Sequence, residues 1–124
     1  MPLTPEEISA HALGKPGAYP DEPWEGDHVA KVAEKIFVFG LGSGAGDSVA
    51  TVGVKCGASR AEADEWLLQY PDDASVMPYI GRSGWNTLII GGAIPDAEIL
   101  EAIDTSYDLV VSKLPKKHRP VAEG

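Results

Sequence analysis

The sequence predicts an α+β fold. A five-stranded antiparallel sheet carries helices on one face, giving a two-layer sandwich in the order α-β-β-β-α-β-β-α. Three observations lead there. Between His28 and Cys56 apolar and polar side chains alternate across short connections, the pattern of sequential half-buried strands. Thr4-Pro5-Glu6-Glu7 and Ser59-Arg60-Ala61-Glu62 are capping boxes, in which the first hydroxyl and the last carboxylate satisfy the free amides of a helix start. From Pro95 to Leu114 apolar residues recur at helical spacing in the longest such run of the chain.

Thr4 is the N-cap of the first helix, Pro5 takes its first position, and Leu3 and Ile8 form a hydrophobic staple. Gly14 is placed as its left-handed C-terminal cap, with Pro16 beyond. The stretch "GKPGAYPDEPWEGD" reads as a proline-rich, acidic, solvated loop, with Trp24 folded back over the core edge. It lacks the ligand spacing and central glycine of a calcium loop. Val29 to Val32 and Ile36 to Leu41 are strands joined tightly through Ala33-Glu34-Lys35. In the second helix Ala63, Trp66, Leu67 and Tyr70 share one face, and Pro71 ends it. Val76 to Ile80 and Trp85 to Ile90 form a second hairpin around Gly81-Arg82-Ser83-Gly84. Pro95 or Asp96 opens the last helix, with Ile99, Ile103, Tyr107, Val110, Val111 and Leu114 on its apolar face and Pro115 at its end.

One motif competes with this reading. Gly40-Leu41-Gly42-Ser43-Gly44-Ala45 fits a relaxed dinucleotide fingerprint, and Glu62 stands where a ribose-binding carboxylate would. A pyrophosphate needs a helix N-terminus directly after the glycines. Instead, Ala50, Val52, Val54 and Cys56 alternate with Thr51, Gly53 and Lys55, which is the pattern of a strand. The glycines therefore form a turn, and Glu62 belongs to a helix cap.

At 124 residues, 44% hydrophobic and 23% charged, the chain suits one soluble domain over residues 1–115, followed by a basic, mobile tail over 116–124. No apolar run approaches the ~18–20 residues of a membrane span. The first residues lack a signal peptide's basic start and apolar core, so the expected address is cytoplasmic. A lone cysteine, Cys56, agrees with a reducing compartment. The net charge of −9 opposes long-range attraction to nucleic acid or anionic lipid, but it is uneven: residues 113–124 carry +3 and the remainder −12.

No catalytic constellation emerges. His11, His28 and His118 lack partners at metal-ligand spacing, so neither a metal nor a cofactor is expected. Cys56, on the apolar face of its strand, reads as a buried small hydrophobe. Ser43, Ser48 and Ser83 lie in turns without a nucleophile elbow. The features left are Arg82, projecting from a turn with Trp85 and Asn86 just after it, and the cations Lys116, Lys117 and Arg119. An exposed arginine beside an aromatic suits a phosphate and a base, or a protein interface. Trp85 also reads simply as the large core residue of its strand.

Four segments in order, "KPGAYPDEPWEGDHVAKVAEKIFVF", "VGVKC", "YPDDASVMPYIGRSGWNTLII" and "IPDAEILEAIDTSYDLVVSKLPKKHR", resemble the MmcQ/YjbR family over roughly Lys15 to Arg119. The resemblance implies a CyaY-like or secretion-chaperone-like two-layer fold. It also implies DNA binding through a double-wing arrangement of hairpins. Many members carry a histidine before the tryptophan, where this chain has Gly84, and the "GLGSGAGD" connection has no basic residue to serve as a wing. Two readings of a non-enzymatic binding module therefore stand side by side: weak DNA binding through Arg82, Lys116, Lys117 and Arg119, or a protein-interaction or chaperone-like role, favoured by the acidic net charge, through an open sheet face near Trp24 and Trp85. A small-molecule pocket between sheet and helices is a third reading, with no residue signature behind it. Monomer and homodimer are both open.

Overall fold

The computed structural model describes residues 5–24, 27–40, 51–77, 80–115 and 117. Its elements are α1 (Pro5–Leu13), β1 (Ala18–Trp24), β2 (Asp27–Val32), β3 (Lys35–Phe39), β4 (Thr51–Lys55), α2 (Arg60–Gln69), β5 (Ala74–Val76), a 3₁₀ turn (Gly81–Ser83), β6 (Trp85–Ile89) and α3 (Asp96–Ser112). One antiparallel sheet runs in the order β1-β2-β3-β4-β6-β5.

The sheet has six strands rather than five, because the expected acidic loop contains β1. Pro20 and Pro23 argue against an interior strand, since a proline cannot donate to a ladder on both sides. Strand β1 is an edge and needs to bond on one side only, pairing Ala18 with Val32 and Pro20 with Ala30. The Lys31–Asp21 ion pair at 2.7 Å decorates this edge, and charges and prolines are what keep a free edge from pairing with another chain.

The turn from β2 to β3 has two residues, Ala33 (φ 48°) and Glu34 (φ 69°). Positive φ at both centres is the type I′ geometry, whose twist matches that of the flanking strands. Strand β3 then carries a bulge. Ala30 faces Val38 but Lys31 faces Ile36, so Phe37 is unpaired between them. Phe37 and Val38 are consecutive, yet both are fully buried in the core. The Phe37 ring meets Tyr107 of α3 edge-on at 5.2 Å.

Strand β4 runs antiparallel to β3, with Val38 opposite Val54. A dinucleotide fold would need a parallel crossover there, so the glycine fingerprint is no nucleotide site. Residues 41–50 of that connection lie outside the described residues, as do Leu3 and Thr4 of the first cap.

All three helices pack on one face. Ala30, Val38, Val52, Val54 and Leu88 meet Ile8, Ala12, Ala63, Ile99 and Ile103 in one buried cluster. Helix α2 starts as expected, with Ser59 Oγ accepting from the Glu62 amide at 3.4 Å. Two details differ. The left-handed glycine after α1 is Gly17 (φ 76°), not Gly14, because the α1–β1 connection turns at a position well past the helix end at Leu13. Tyr107 clamps that connection by donating to the Pro16 carbonyl at 2.6 Å. The second hairpin is also wider than a four-residue turn. Strand β5 is only Ala74–Val76, the Met77 amide adds one bond to the Trp85 carbonyl, and the 3₁₀ turn comes next. Pro78, which has no N–H to give, lies outside the described residues.

Helices α1 and α3 are tied at the surface. Asp104 accepts from His11 Nε2 at 2.8 Å and pairs with Lys15. Partial burial pushes the Asp104 carboxyl upward, but the hydrogen bonds and charges of Lys15 and His11 outweigh it and hold the group below its usual range. A depressed folded pKa stabilises the fold above the ordinary value of 3.8, and that stabilisation is lost as pH falls through the lower folded value. Asp104→Asn is therefore expected to lower the urea midpoint at pH 7, with the gap to the parent protein closing below pH about 4. A gap that persists unchanged at pH 3 would assign the loss to something other than this charge.

Candidate functional site

The predicted contact residues separate in space. Arg82 is exposed in the 3₁₀ turn. Asn86, expected to join it at a contact surface, is completely buried on the helix-facing side of β6. Its Nδ2 donates to the Ala63 carbonyl at 2.9 Å, and its Oδ1 accepts from Arg60 Nη2 at 2.5 Å. Arg60 also reaches the Gly81 carbonyl at 2.7 Å and Asp64 at 2.7 Å. Arg60 and Asn86 thus lock α2 to the 3₁₀ turn and β6, and Asn86 has no surface to offer a ligand. The signal was in the alternation: Asn86 stands two residues from Leu88, in phase with the core.

Cys56 sits beside this network. Burial pushes its thiol up to about 12, against a hydrogen bond from Asn86 and the charge of Arg60. A thiol held so high is protonated at neutral pH and is a poor nucleophile.

Trp85 is 9% exposed and packs edge-on against Phe39 at 5.4 Å, on the sheet face away from the helices. That face is less open than expected. Val29 is fully buried on it, and Gly53 is covered by Met77, whose sulfur would lie 2.7 Å from a Cβ added at Gly53. The side chain of Trp24 lies outside the described residues. So do Lys116 and Arg119; Lys117 is exposed.

Sequence reasoning missed a cleft at the end of the sheet where β3 begins, β4 ends, β6 begins and the last turn of α3 overhangs. It measures about 380 Å³ and is lined by Lys35, Ile36, Lys55, Trp85, Leu109, Val110, Lys113 and Leu114. Its three charges are all positive. Lys55 is 5% exposed. Its amide donates to Ser106 Oγ at 2.9 Å, and that hydroxyl donates to the Phe37 carbonyl at 2.6 Å. Its ammonium donates to the Ser83 carbonyl at 2.7 Å, one residue from Arg82. Burial, and then the charge of Lys113, lower its pKa below the ordinary lysine value. The cleft therefore joins the Arg82 turn to the root of the C-terminal segment. No local pattern marks it, because its lysines lie 20 and 58 residues apart and meet only through the sheet.

A sequence model of the YjbR family matches residues 13–109, most of the chain. The chain belongs to the YjbR family. It is 25% identical to "Uncharacterized protein YjbR" of Escherichia coli strain K12 over 119 residues, covering 94% of this chain and 95% of that protein, and equally so to its counterpart in strain O157:H7. The crystal structure of Deinococcus radiodurans protein DR2400, with a DUF419 domain, superposes with a TM-score of 0.78 at 18% identity over 98% of this chain and 96% of that one. This likeness extends the family fold to the whole architecture described above. The family match includes Lys35, Lys55, Arg82 and Trp85 and stops before Lys113. No helix among the described residues is long and apolar enough to cross a membrane.

Proposed function

We propose that this YjbR-family protein is a non-enzymatic binding module that takes the phosphate backbone of nucleic acid weakly, at the basic end of its sheet. The observation that carries the reading is the gathering of Lys35, Lys55 and Lys113, next to the turn bearing Arg82, on a chain of net charge −9. Lys117, a further exposed cation, follows Lys113 closely along the chain. The competing reading, a protein interface on the far sheet face, has little bare apolar surface to use at Val29 and Gly53.

Few charges can engage at once. With three or four phosphates neutralised, counterion release gives a log–log salt slope of roughly −3 and a loss of some 40- to 150-fold in affinity between 50 and 200 mM salt. Repulsion from the acidic body is screened by the same salt, with a Debye length of about 8 Å at physiological strength, and partly offsets that loss. Binding no tighter than about 10⁻⁴ M is expected at physiological salt. A fluorescent duplex titrated at 50 and 150 mM salt tests this, with Arg82→Ala and Lys113→Ala each expected to weaken binding and flatten the slope by about 1. No binding at 50 mM, or binding indifferent to both substitutions, refutes the reading.

A further inference from the structure

The ammonium of Lys55 is an anomaly in a protein so rich in carboxylates. Lys15, Lys31 and Arg60 each have a carboxylate partner. Lys55 is the most buried of the described cations, yet it forms no ion pair among the described residues. Its one described side-chain partner is a neutral carbonyl, that of Ser83. An ammonium has three N–H donors, so the bond to Ser83 leaves donor capacity for an anion in the cleft that Lys55 lines. The nearby Lys113 adds a second positive charge instead of neutralising the first. A buried charge normally acquires a counter-ion, because removing it from water without one is costly. The site is also pre-organised, since the Ser106 hydroxyl fixes the Lys55 backbone between β3 and α3.

The remainder of the lining is apolar: Trp85 forms one wall, with Ile36, Leu109, Val110 and Leu114 around it. A volume of about 380 Å³ lies at the lower end of small-ligand pockets. Such a cleft offers a bare inorganic ion little contact, and a base pair in a duplex cannot enter it. We infer that the cleft is a binding site for a small amphipathic anion, with its carboxylate or phosphate head on Lys55 and Lys113 and an aliphatic body against Trp85, Leu109 and Leu114. This ligand is distinct from a nucleic-acid backbone although the lysines are shared, so either reading can fail without the other.

Isothermal titration and ¹H–¹⁵N spectra of the full chain, with no nucleic acid present, test the proposal. The probes are decanoate and octyl phosphate, which separate the two head groups, with octanol, acetate and inorganic phosphate as controls. Saturable binding is expected for at least one long-chain anion, with amide shifts centred on Lys55, Leu109 and Lys113. The controls should bind at least tenfold more weakly. Lys55→Met keeps the stem and removes the charge, and is expected to weaken binding tenfold or more. Leu109→Glu, on the half-buried rim, sets a carboxylate in the cleft and should abolish it. Lys113→Ala, at an exposed position, should weaken it several-fold. Affinity should also fall as pH rises toward, but before reaching, the ordinary lysine pKa, as the Lys55 ammonium deprotonates. Three results would each overturn the assignment: no binding of either long-chain anion at millimolar concentration, octanol binding as tightly as decanoate, or folded Lys55→Met and Lys113→Ala variants with unchanged affinity.

Discussion

Gly84→Ala is expected to destabilise the protein by about 3–5 kcal/mol, combining backbone strain, a steric clash and a lost hydrogen bond. Gly84 has φ +99°, a conformation that a side chain disfavours. The larger problem is space. A Cβ there would stand 2.3 Å from the Gly57 carbonyl oxygen and 3.2 Å from that of Ser59, both of them backbone atoms without a rotamer to change. Relief requires the 57–59 segment to move away from the 3₁₀ turn, which breaks the bond from the Cys56 amide to the Gly84 carbonyl at 2.8 Å. Urea denaturation measures the cost directly, and a loss under 1 kcal/mol would mean that the two segments yield easily. Because Lys55 donates to Ser83, displacement of this turn also disturbs the cleft. Gly84→Ala should therefore weaken anion binding at temperatures where it remains folded.

Asn86→Ala is the second large effect, at about 3 kcal/mol, from one buried and one partly buried hydrogen bond whose partners lose their counterpart. The Ala63 carbonyl and one guanidinium nitrogen of Arg60 are left behind, and a small cavity opens beside Cys56. Arg60→Met removes other bonds of the same network, to Gly81 and Asp64. The double variant should cost less than the sum of the singles, because the Arg60–Asn86 bond is counted in both. The sign of the result separates two roles for Asn86. A ligand contact would show lost binding at unchanged stability; a structural clamp shows lost stability, with binding retained in whatever fraction stays folded. Strict additivity in the cycle would argue that the two side chains do not share a bond in solution.

The three helices and most of the strands are legible in the sequence because each is written in local terms. Caps at Ser59 and Pro95, the terminating Pro71 and Pro115, and the apolar period through Ile99, Ile103 and Tyr107 depend only on residues within a few positions of one another. The family resemblance was equally legible, being a matter of order along the chain. Strand β1 was not, because a proline is excluded or tolerated according to whether its strand lies at an edge, and that is a property of the whole sheet. The Trp85-Asn86 pair shows the same division within two residues. Adjacent positions on a strand face opposite sides, so one became the wall of a cleft and the other a buried clamp. The cleft itself is the most non-local feature of all. Lys35, Lys55 and Lys113 belong to no common motif along the chain. Pairing of β3 with β4, and the docking of α3 across them through Ser106, bring all three to one end of the sheet. Local chemistry along the chain was enough to set the elements and their caps, since hydrogen bonds and side-chain periodicity act over single turns. The sharing of a binding surface was set by strand register and helix docking, because those alone bring distant residues within reach of one ligand.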